Sequence, residues 1–281
     1  MSRLHEGINN FKEYLKRGGK VTVRRVVPIS FGEKGYLSEK TVLITGGSSG
    51  IGLNLAGVLK NAGAKVIITG RDEKRLKNAT LSLPGIETIQ WDIRDVSNAE
   101  EKMRMAFSVY GKIDILINNA GIFDGTTVYD MSEDVFDRMI ETNLKGTYFV
   151  SQAFLRNISD EDSEIKKIIN ILSIRSITSS TNMYCATKWA EKCFTEGLAK
   201  EMILKNKNVI VNGVAPGPTC SSINRINRIN PEGNTYYAGG EKIKYMMIPE
   251  EITNVIAFLC TDMSNGIVGQ TIVVDGGETI R

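Results

Sequence analysis

Residues 41–60 read TVLITGGSSGIGLNLAGVLK, and this stretch decides the fold. A short run of aliphatic and β-branched residues, typical of a buried strand, leads directly into a glycine-rich turn and then a helical pattern. Gly46, Gly50 and Gly52 permit a tight turn, so that the first helical amides can face a pyrophosphate. The stretch predicts a nucleotide-binding strand, turn and helix, although its Gly-x3-Gly-x-Gly spacing differs from the GxGxxG pattern.

The alternation of strands and helices continues to the end of the chain. Strand-like runs lie at 41–45, 65–69, 87–91, 113–118, 165–172, 208–214 and 271–275. Helical patterns lie near 50–62, 73–80, 97–110, 132–157, 183–205 and 248–261. Buried strands separated by helices are the sequence form of a parallel sheet covered on both faces. We therefore predict an α/β fold with a doubly wound parallel sheet in a single domain over 39–281.

Composition excludes several classes of function. The 281 residues are 42% hydrophobic and 24% charged, as in an ordinary globular domain with a sizeable core. No apolar run reaches the ~20 residues that span a bilayer, and no secretory signal is visible, so we expect a soluble cytoplasmic protein. Cys185, Cys193, Cys220 and Cys260 show no metal or disulfide spacing. The only histidine is His5, which argues against histidine-based triads and a metal site.

Charge is distributed unevenly along the chain. Residues 1–40 hold nine Lys and Arg against four Asp and Glu, whereas the other 241 residues hold 26 against 28. The body of the protein therefore lacks the basic surface of a nucleic-acid binder. Apolar side chains recur at helical spacing in the predicted N-terminal arm (1–38), at Leu4, Ile8, Phe11 and Leu15. The arm either packs on its own domain or a neighbouring subunit, or contacts an anionic membrane or carrier protein.

A second irregular region covers 218–247 and shows no clear periodicity. A segment of this length inside a compact domain predicts a functional lid or disorder. Four basic side chains, at Arg225, Arg228, Lys242 and Lys244, outnumber the two acidic ones in this segment. We expect a lid that closes over a polar or anionic substrate; the alternative is a solvated loop without specificity.

Tyr184 and Lys188 form a candidate acid-base pair. They are four residues apart at the start of a predicted helix, so both side chains lie on one face, one turn apart. Tyr36 and Lys40 have the same spacing, so spacing alone decides nothing. Tyr184 differs because it follows the fifth predicted strand and a serine-rich segment. A tyrosine whose pKa is lowered by a nearby lysine can perform acid-base catalysis in a chain without a usable histidine.

Six features, in order, resemble the short-chain dehydrogenase/reductase family, NAD(P)-dependent oxidoreductases with a single-domain Rossmann fold. The features are TGGSSGIG (45–52), Asp92, NNAG (118–121), Asn143, Ser173 with Tyr184 and Lys188, and Pro216-Gly217. The resemblance extends over 40–276. The C-terminal segments IPEEITNVIAFL and GQTIVVDGG are similar to those of ketoacyl-reductase-like members.

The resemblance implies a catalytic tetrad of Asn143, Ser173, Tyr184 and Lys188. Tyr184 would exchange a proton with the substrate oxygen while a hydride moves between nicotinamide and a carbonyl or secondary alcohol. Ser173 would hold that oxygen, Lys188 would also bind the nicotinamide ribose, and Asn143 would anchor a water. Ser173 lies 11 residues before Tyr184, two fewer than the family leads us to expect, and Ser176 is the alternative.

The resemblance also implies the cofactor site. Its residues are Gly46, Ser48, Ser49, Gly50, Ile51, Gly52, Arg71, Asp92, Ile93, Asn119, Ala120, Gly121, Tyr184, Lys188, Pro216, Gly217 and Thr219. Asp92 is either a simple helix cap or, as the resemblance implies, a contact to the adenine.

Cofactor preference depends on the end of the second strand. NAD-preferring folds carry an acidic residue there, whereas this chain has Gly70 followed by Arg71. A guanidinium suits a 2′-phosphate, so we expect NADP rather than NAD. The alternative assigns the acidic role to Asp72, although Asp72-Glu73 is more typical of a helix start.

The leading hypothesis is an NADP-preferring dehydrogenase or reductase that acts on a small-molecule carbonyl or alcohol as a homodimer or homotetramer. A non-catalytic dinucleotide-binding regulator or scaffold is the alternative, disfavoured by the presence of both Tyr184 and Lys188. Glycine spacing disfavours a related epimerase or dehydratase. The substrate stays open, because the same fold and tetrad serve acyl thioesters, sugars, steroids and polyols. An acidic run at 160–164 would repel an acidic acyl carrier protein.

Overall fold

The computed structural model describes residues 35–159, 163–219 and 247–280. The strands are β1 Thr41–Ile44, β2 Lys65–Gly70, β3 Glu87–Gln90, β4 Ile115–Asn118, β5 Lys166–Ile171, β6 Val209–Pro216 and β7 Thr271–Val274. They form one sheet in the order β3-β2-β1-β4-β5-β6-β7, and every neighbouring pair is parallel. The predicted doubly wound parallel sheet of a Rossmann fold is confirmed.

Helices cover both faces of the sheet. They are α1 Gly50–Asn61, α2 Glu73–Ser82, α3 Ala99–Tyr110, α4 Glu133–Met139, α5 Thr147–Asn157, α6 Met183–Leu204 and α7 Pro249–Cys260. Strand residues alternate between the faces, as the pleat requires: Val42 and Ile44 join the core under α1 and α7, whereas Leu43 joins the core under α3, α5 and α6. The two apolar cores explain why the strands read as continuous hydrophobic runs.

The region predicted as one helix over 132–157 is interrupted. A π-helical stretch, Ile140–Gly146, joins α4 to α5. Such stretches are uncommon and frequently occur at functional sites. Gly146 closes this stretch against Ile93, because a Cβ at Gly146 would lie 2.7 Å from Ile93 Cδ1. The π-helical stretch carries Asn143, whose side chain is completely buried.

The described part of the predicted N-terminal arm belongs to the core. Leu37 is buried among core residues, and its amide donates a 2.9 Å hydrogen bond to the Ala62 carbonyl. Leu37, which lies in the predicted arm, thus packs against the core of the domain. Residues 1–34 and 220–246 lie outside the described residues, so the helical arm and the lid remain predictions. No helix in the described ranges is long and apolar enough to cross a membrane.

Candidate active site

The predicted site motifs meet at the carboxyl edge of the sheet. From β1 the chain moves outward to β2, and from β4 it moves the opposite way to β5, so a crevice opens between the ends of β1 and β4. The glycine turn follows β1, and Asn119 to Gly121 follow β4. Open parallel sheets bind ligands at this reversal of strand order.

The glycine turn fits against the β4 exit without room for larger residues. Gly46 and Gly50 have φ values of +64° and +57°, in the left-handed region that glycine adopts readily. A Cβ at Gly52 would lie 2.5 Å from Asn119 Nδ2. That amide donates hydrogen bonds of 2.9 Å to the Thr45 carbonyl and 3.1 Å to the Gly46 carbonyl. Asn119 therefore fixes the shape of the turn.

The start of α1 can receive an anion. Its N-cap, Ser49, makes no capping hydrogen bond with its side chain, and the first turn of this helix contains no acidic residue. The first amides and the positive end of the helix dipole are therefore available to a ligand. Together with the glycines, which keep Cβ atoms away, this donor set fits the pyrophosphate of a dinucleotide.

The end of β2 has no acidic side chain at the expected position. A Cβ at Gly70 would lie 3.1 Å from Ser48 Oγ, so Ser48 covers this position. Asp72 is the N-cap of α2 and accepts a 3.1 Å hydrogen bond from the Arg75 amide. Arg71, between Gly70 and Asp72, is exposed. Asp72 thus has the helix-start position that its sequence predicts, and Arg71 is accessible to an anion.

Asp92 pairs with Arg94 after β3. Arg94 Nη2 lies 2.6 Å from Asp92 Oδ2, and Arg94 Nε lies 3.1 Å from both carboxylate oxygens. These hydrogen bonds hold the pKa of Asp92 below its usual range, against the effect of burial. Asp92 is not the cap of the following 3-10 turn, which begins after Asp95. The sequence patterns do not predict a role for Arg94. Only its position, two residues after Asp92, could have indicated the ion pair.

Ser173, Tyr184 and Lys188 come together at the exit of β5. Lys188 Nζ lies 5.7 Å from the centre of the Tyr184 ring. Ser173 Oγ accepts a 3.2 Å hydrogen bond from the Arg175 amide and lies near enough to the Tyr184 phenol to act on its pKa. Desolvation raises the pKa of the Tyr184 phenol above its ordinary value; Lys188 and Ser173 act in the opposite direction without outweighing it. Ser176, the alternative to Ser173, is fully buried and donates to the Ser173 carbonyl at 2.7 Å. The geometry favours Ser173.

Lys188 has a buried partner that the motifs do not predict. Its Nζ donates 2.9 Å hydrogen bonds to the Ile171 carbonyl and to Glu191 Oε2. Burial opposes the lysine charge, but Glu191 and Tyr184 together outweigh this effect, and the pKa of Lys188 is raised. Burial raises the pKa of Glu191 to about 7, although Lys188 acts in the opposite direction. The signal in the sequence is the spacing, because residues 184, 188 and 191 share one helix face.

Asn143 connects the π-helical stretch to the other tetrad elements. Its Nδ2 donates to Thr187 Oγ1 at 3.1 Å and to the Ile122 carbonyl at 3.0 Å. Its Oδ1 accepts a 2.8 Å hydrogen bond from the Ile122 amide. A Cβ at Gly121 would lie 3.5 Å from Asn143 Oδ1 and 3.7 Å from Lys188 Nζ. Gly121 therefore lies beside both tetrad side chains.

Two further contacts shape the mouth of the site. Phe123 meets the Tyr184 ring edge to face, with centroids 5.1 Å apart. Asn182 Nδ2 donates to the carbonyls of Asp124 and Thr126 at 2.9 and 2.8 Å, which holds the loop after β4 against the start of α6. The sequence patterns single out neither Phe123 nor Asn182.

The two ends of the predicted lid meet beside β6. Gly217 packs against Asp275, because a Cβ there would lie 2.7 Å from Asp275 Cα. Thr219 pairs with Met247, and the Met247 amide donates to the Pro218 carbonyl at 2.9 Å. Pro216, Gly217 and Thr219 thus lie at the same sheet edge as the glycine turn.

Comparison with known proteins identifies the family. The short chain dehydrogenase model matches residues 40–231. The chain belongs to the short-chain dehydrogenase family. The 3-oxoacyl-[acyl-carrier-protein] reductase of Rickettsia felis is 34% identical over 243 residues, which cover 86% of this chain and 97% of that protein. An uncharacterized oxidoreductase of Staphylococcus aureus is 35% identical over 191 residues, covering 66% of this chain and 81% of the relative.

Solved structures of short-chain dehydrogenases have the same fold. The Brucella melitensis protein described as a glucose/ribitol dehydrogenase aligns with a TM-score of 0.74 at 29% identity, covering 89% of this chain and 100% of that chain. A Burkholderia cenocepacia short-chain dehydrogenase in complex with NADP aligns with a TM-score of 0.75 at 27% identity, covering 87% and 99%. The protein is accordingly an oxidoreductase of the nicotinamide-dependent short-chain dehydrogenase family. Within the described ranges, no three His, Cys, Asp or Glu side chains cluster as a metal site.

Proposed function

We propose that the protein is an NADP-preferring oxidoreductase that interconverts a small-molecule carbonyl and its alcohol, with Tyr184 as the acid-base group. The observation that carries this proposal is the arrangement at the exit of β5, where Lys188 Nζ lies 5.7 Å from the centre of the Tyr184 ring and Ser173 lies beside the phenol. Such a contact supplies a transferable proton, a hydrogen bond for the reacting oxygen and a cation in one place.

When bound, a nicotinamide dinucleotide would supply or accept the hydride, and its oxidised ring would add a positive charge beside Tyr184 and Lys188. Tyr184 gives its proton to the carbonyl oxygen in reduction and removes one from the alcohol in oxidation. Ser173 donates a hydrogen bond to that oxygen. A free phenol has a pKa of ~10, and moving it to ~7 requires about 4 kcal/mol of preferential phenolate stabilisation, to which Lys188 contributes.

The residues of this chain also account for binding of the dinucleotide. The amides at the start of α1 receive the pyrophosphate, and Asn119 holds the glycine turn in position. Two of the three Lys188 N–H groups have partners among the described residues, which leaves one for a ribose hydroxyl. Arg71 is exposed directly after Gly70, and Ser48 Oγ lies beside Gly70, so we expect both residues to bind a 2′-phosphate. The NADP complex of the Burkholderia cenocepacia relative supports this cofactor.

The substrate is proposed only as a class. The relatives are named as a 3-oxoacyl-[acyl-carrier-protein] reductase and a glucose/ribitol dehydrogenase, so we expect the substrate to be a carbonyl or the corresponding secondary alcohol. The basic residues of the predicted lid (218–247) favour a polar or anionic substrate. We expect homodimers or homotetramers, as is usual in the family.

The test is NADPH oxidation by the purified protein with a panel of ketones, keto acids, sugars and acyl thioesters. Tyr184→Phe should abolish turnover while NADPH binding stays within about threefold, because it removes a proton and little volume. Tyr110→Phe at the end of α3 is the matched control and should be fully active. Binding of NADPH without turnover of any substrate would instead support a regulatory or scaffold protein. A Tyr184→Phe rate above roughly a tenth of wild type would remove Tyr184 as the main acid.

A further inference from the structure

The active-site lysine belongs to a buried ion pair. Tyr184, Lys188 and Glu191 occupy positions i, i+4 and i+7 of α6, so their side chains lie on one face. Lys188 Nζ and Glu191 Oε2 are 2.9 Å apart, and the two side chains are only 5% and 3% exposed. An isolated ammonium in such a place would be strongly disfavoured, and a carboxylate in contact compensates it.

We propose that Glu191 is a positioning residue that acts through Lys188: it keeps the lysine charged and anchored beneath Tyr184. This inference rests on the proposed function, in which the Lys188 cation assists Tyr184. Within the described residues, Glu191 makes no hydrogen bond to Tyr184 Oη or Ser173 Oγ, the groups proposed to meet the reacting oxygen, whereas it contacts Lys188 directly.

The surroundings of Lys188 offer no substitute for Glu191. Among the described residues, the ionisable groups that act on Lys188 are Glu191 and Tyr184, both on α6. The end of β5 presents the Ile171 carbonyl, and the loop after β4 presents Gly121, which has no side chain to donate or accept. A carbonyl orients an ammonium but carries no net charge. The carboxylate is therefore the only anion in the described site that counters burial of the lysine.

Glu191 is also poorly explained as a packing residue. Its Oε1 is buried and has no hydrogen-bond partner among the described residues. Half of the carboxylate is therefore desolvated without a hydrogen bond to compensate. An apolar side chain of similar volume would avoid that penalty at this position. The charge of Glu191 itself raises the pKa of Tyr184, but the opposite effect of Lys188 is larger. The two charges together therefore favour the Tyr184 phenolate only while the lysine is protonated.

Titration of Lys188 tests the inference without cofactor or substrate. The protein is labelled with lysine carrying 13C at Cε, and the Lys188 signal is assigned by its loss in Lys188→Met. In wild type the signal should stay that of a charged lysine through pH 10. In Glu191→Gln the acid dissociation constant of Lys188 should rise about tenfold or more, because the nearby charge is gone while the shape remains.

Glu196→Gln is the matched control. Glu196 also pairs with a lysine of α6, Lys192, but this pair lies on the surface. The Lys188 titration in Glu196→Gln should be that of wild type. An unchanged Lys188 titration in Glu191→Gln would overturn the inference. If Glu191→Gln does not fold, Glu191→Met, which has similar volume and no charge, carries the same expectation.

A kinetic measurement separates a positioning role from a merely structural one. In Glu191→Gln the alkaline limb of kcat for alcohol oxidation should move to lower pH, because Lys188 then deprotonates at lower pH and Tyr184 loses the cation that stabilises its phenolate. Lower stability with an unmoved pH profile would show a structural role and overturn the inference. If wild type turns over no carbonyl, the proposed function fails, whereas the Lys188 titration still decides whether Glu191 keeps the lysine charged.

Discussion

Ser176 donates its hydroxyl proton to the backbone carbonyl of Ser173 across 2.7 Å. The Ser173 hydroxyl, by contrast, accepts a 3.2 Å hydrogen bond from the Arg175 amide and lies beside the Tyr184 phenol. Although the two serines are only three residues apart, we therefore expect Ser173 rather than Ser176 to donate to a substrate oxygen. We expect Ser173→Ala to lower kcat about a hundredfold, as loss of one transition-state hydrogen bond does.

Ser176→Ala is the control for that prediction. It should leave kcat within about threefold and reduce the free energy of unfolding by about 1 kcal/mol, the value of one buried hydrogen bond. The Ser173 carbonyl keeps a second partner, because the Ser176 amide also donates to it at 2.8 Å. Steady-state kinetics and urea unfolding of both variants decide the matter. The reverse result, a large loss of kcat in Ser176→Ala alone, would reassign the role to Ser176.

Arg71 is expected to determine the choice between the two nicotinamide cofactors. Arg71→Ala should weaken NADPH binding by about 1.5–3 kcal/mol, the range for a charged hydrogen bond, and leave NADH nearly unchanged. Binding is measured by the fluorescence of each reduced cofactor. Arg75→Ala provides the comparison, because the Arg75 side chain is paired with the α2 cap Asp72, and its effect should be smaller. Equal losses for both cofactors, or a wild-type preference for NADH, would contradict the assignment.

Periodicity predicted the sheet well but not the local geometry of the site. All seven strands lie where the strand-like runs predicted them. The five central strands are buried on both faces, which leaves a strong pattern, whereas the edge strands β3 and β7 are partly exposed. The π-helical stretch at Ile140–Gly146 leaves no such pattern, since its backbone follows from packing of Gly146 on Ile93. The Asp92 and Arg94 pair and the Lys188 and Glu191 pair were likewise not predicted. Each of these ion pairs depends on the side-chain directions in the folded protein. The spacing of the residues in the sequence allows the contact but does not require it.

Asn143 should matter for structure as well as for catalysis. Its amide makes three hydrogen bonds, two with the Ile122 backbone and one with Thr187 of α6. Asn143→Ala should reduce the free energy of unfolding by about 3 kcal/mol, at roughly 1 kcal/mol for each bond lost. It should also lower kcat, because the loop beside Gly121 and Lys188 loses its anchor.

Asn157→Ala is the comparison for Asn143. Asn157 lies at the end of α5, and its amide donates to the Ala153 carbonyl at 2.8 Å and to Glu100 at 3.3 Å. Its loss should cost less than about 2 kcal/mol and leave kcat unchanged. Urea unfolding and steady-state rates of the two variants are sufficient. Full activity of Asn143→Ala would mean that the π-helical stretch has no part in the reaction.

The last prediction concerns pH and a second buried ion pair at the opposite end of the sheet. Asp114, just before β4, is completely buried and lies 2.8 Å from Lys166 Nζ at the start of β5. It also accepts a 2.8 Å hydrogen bond from the Thr41 amide at the start of β1. Burial raises the pKa of Asp114, but the Lys166 and Thr41 hydrogen bonds outweigh it, so the pKa is lowered. One carboxylate thus joins three adjacent strands.

The sign of the pH effect follows from this lowered pKa. The unfolded chain, with an Asp pKa of ~3.9, binds this proton more readily than the folded chain, so the stabilisation by Asp114 is complete above that value. It is lost as pH falls from about 4 through the lower folded pKa. Urea unfolding of wild type between about pH 2.5 and 7 should show this loss, and Asp114→Asn should remove that part of the slope.

Asp114→Asn should also destabilise the protein by about 3–5 kcal/mol at neutral pH, because Lys166 stays buried without its nearest carboxylate. Asp114→Asn combined with Lys166→Met should recover much of that loss, since no charge is then left buried. Glu201→Gln, which breaks an exposed pair with Lys205 on α6, should cost less than about 0.5 kcal/mol. If the single and double variants are equally unstable, packing rather than the ion pair joins these strands.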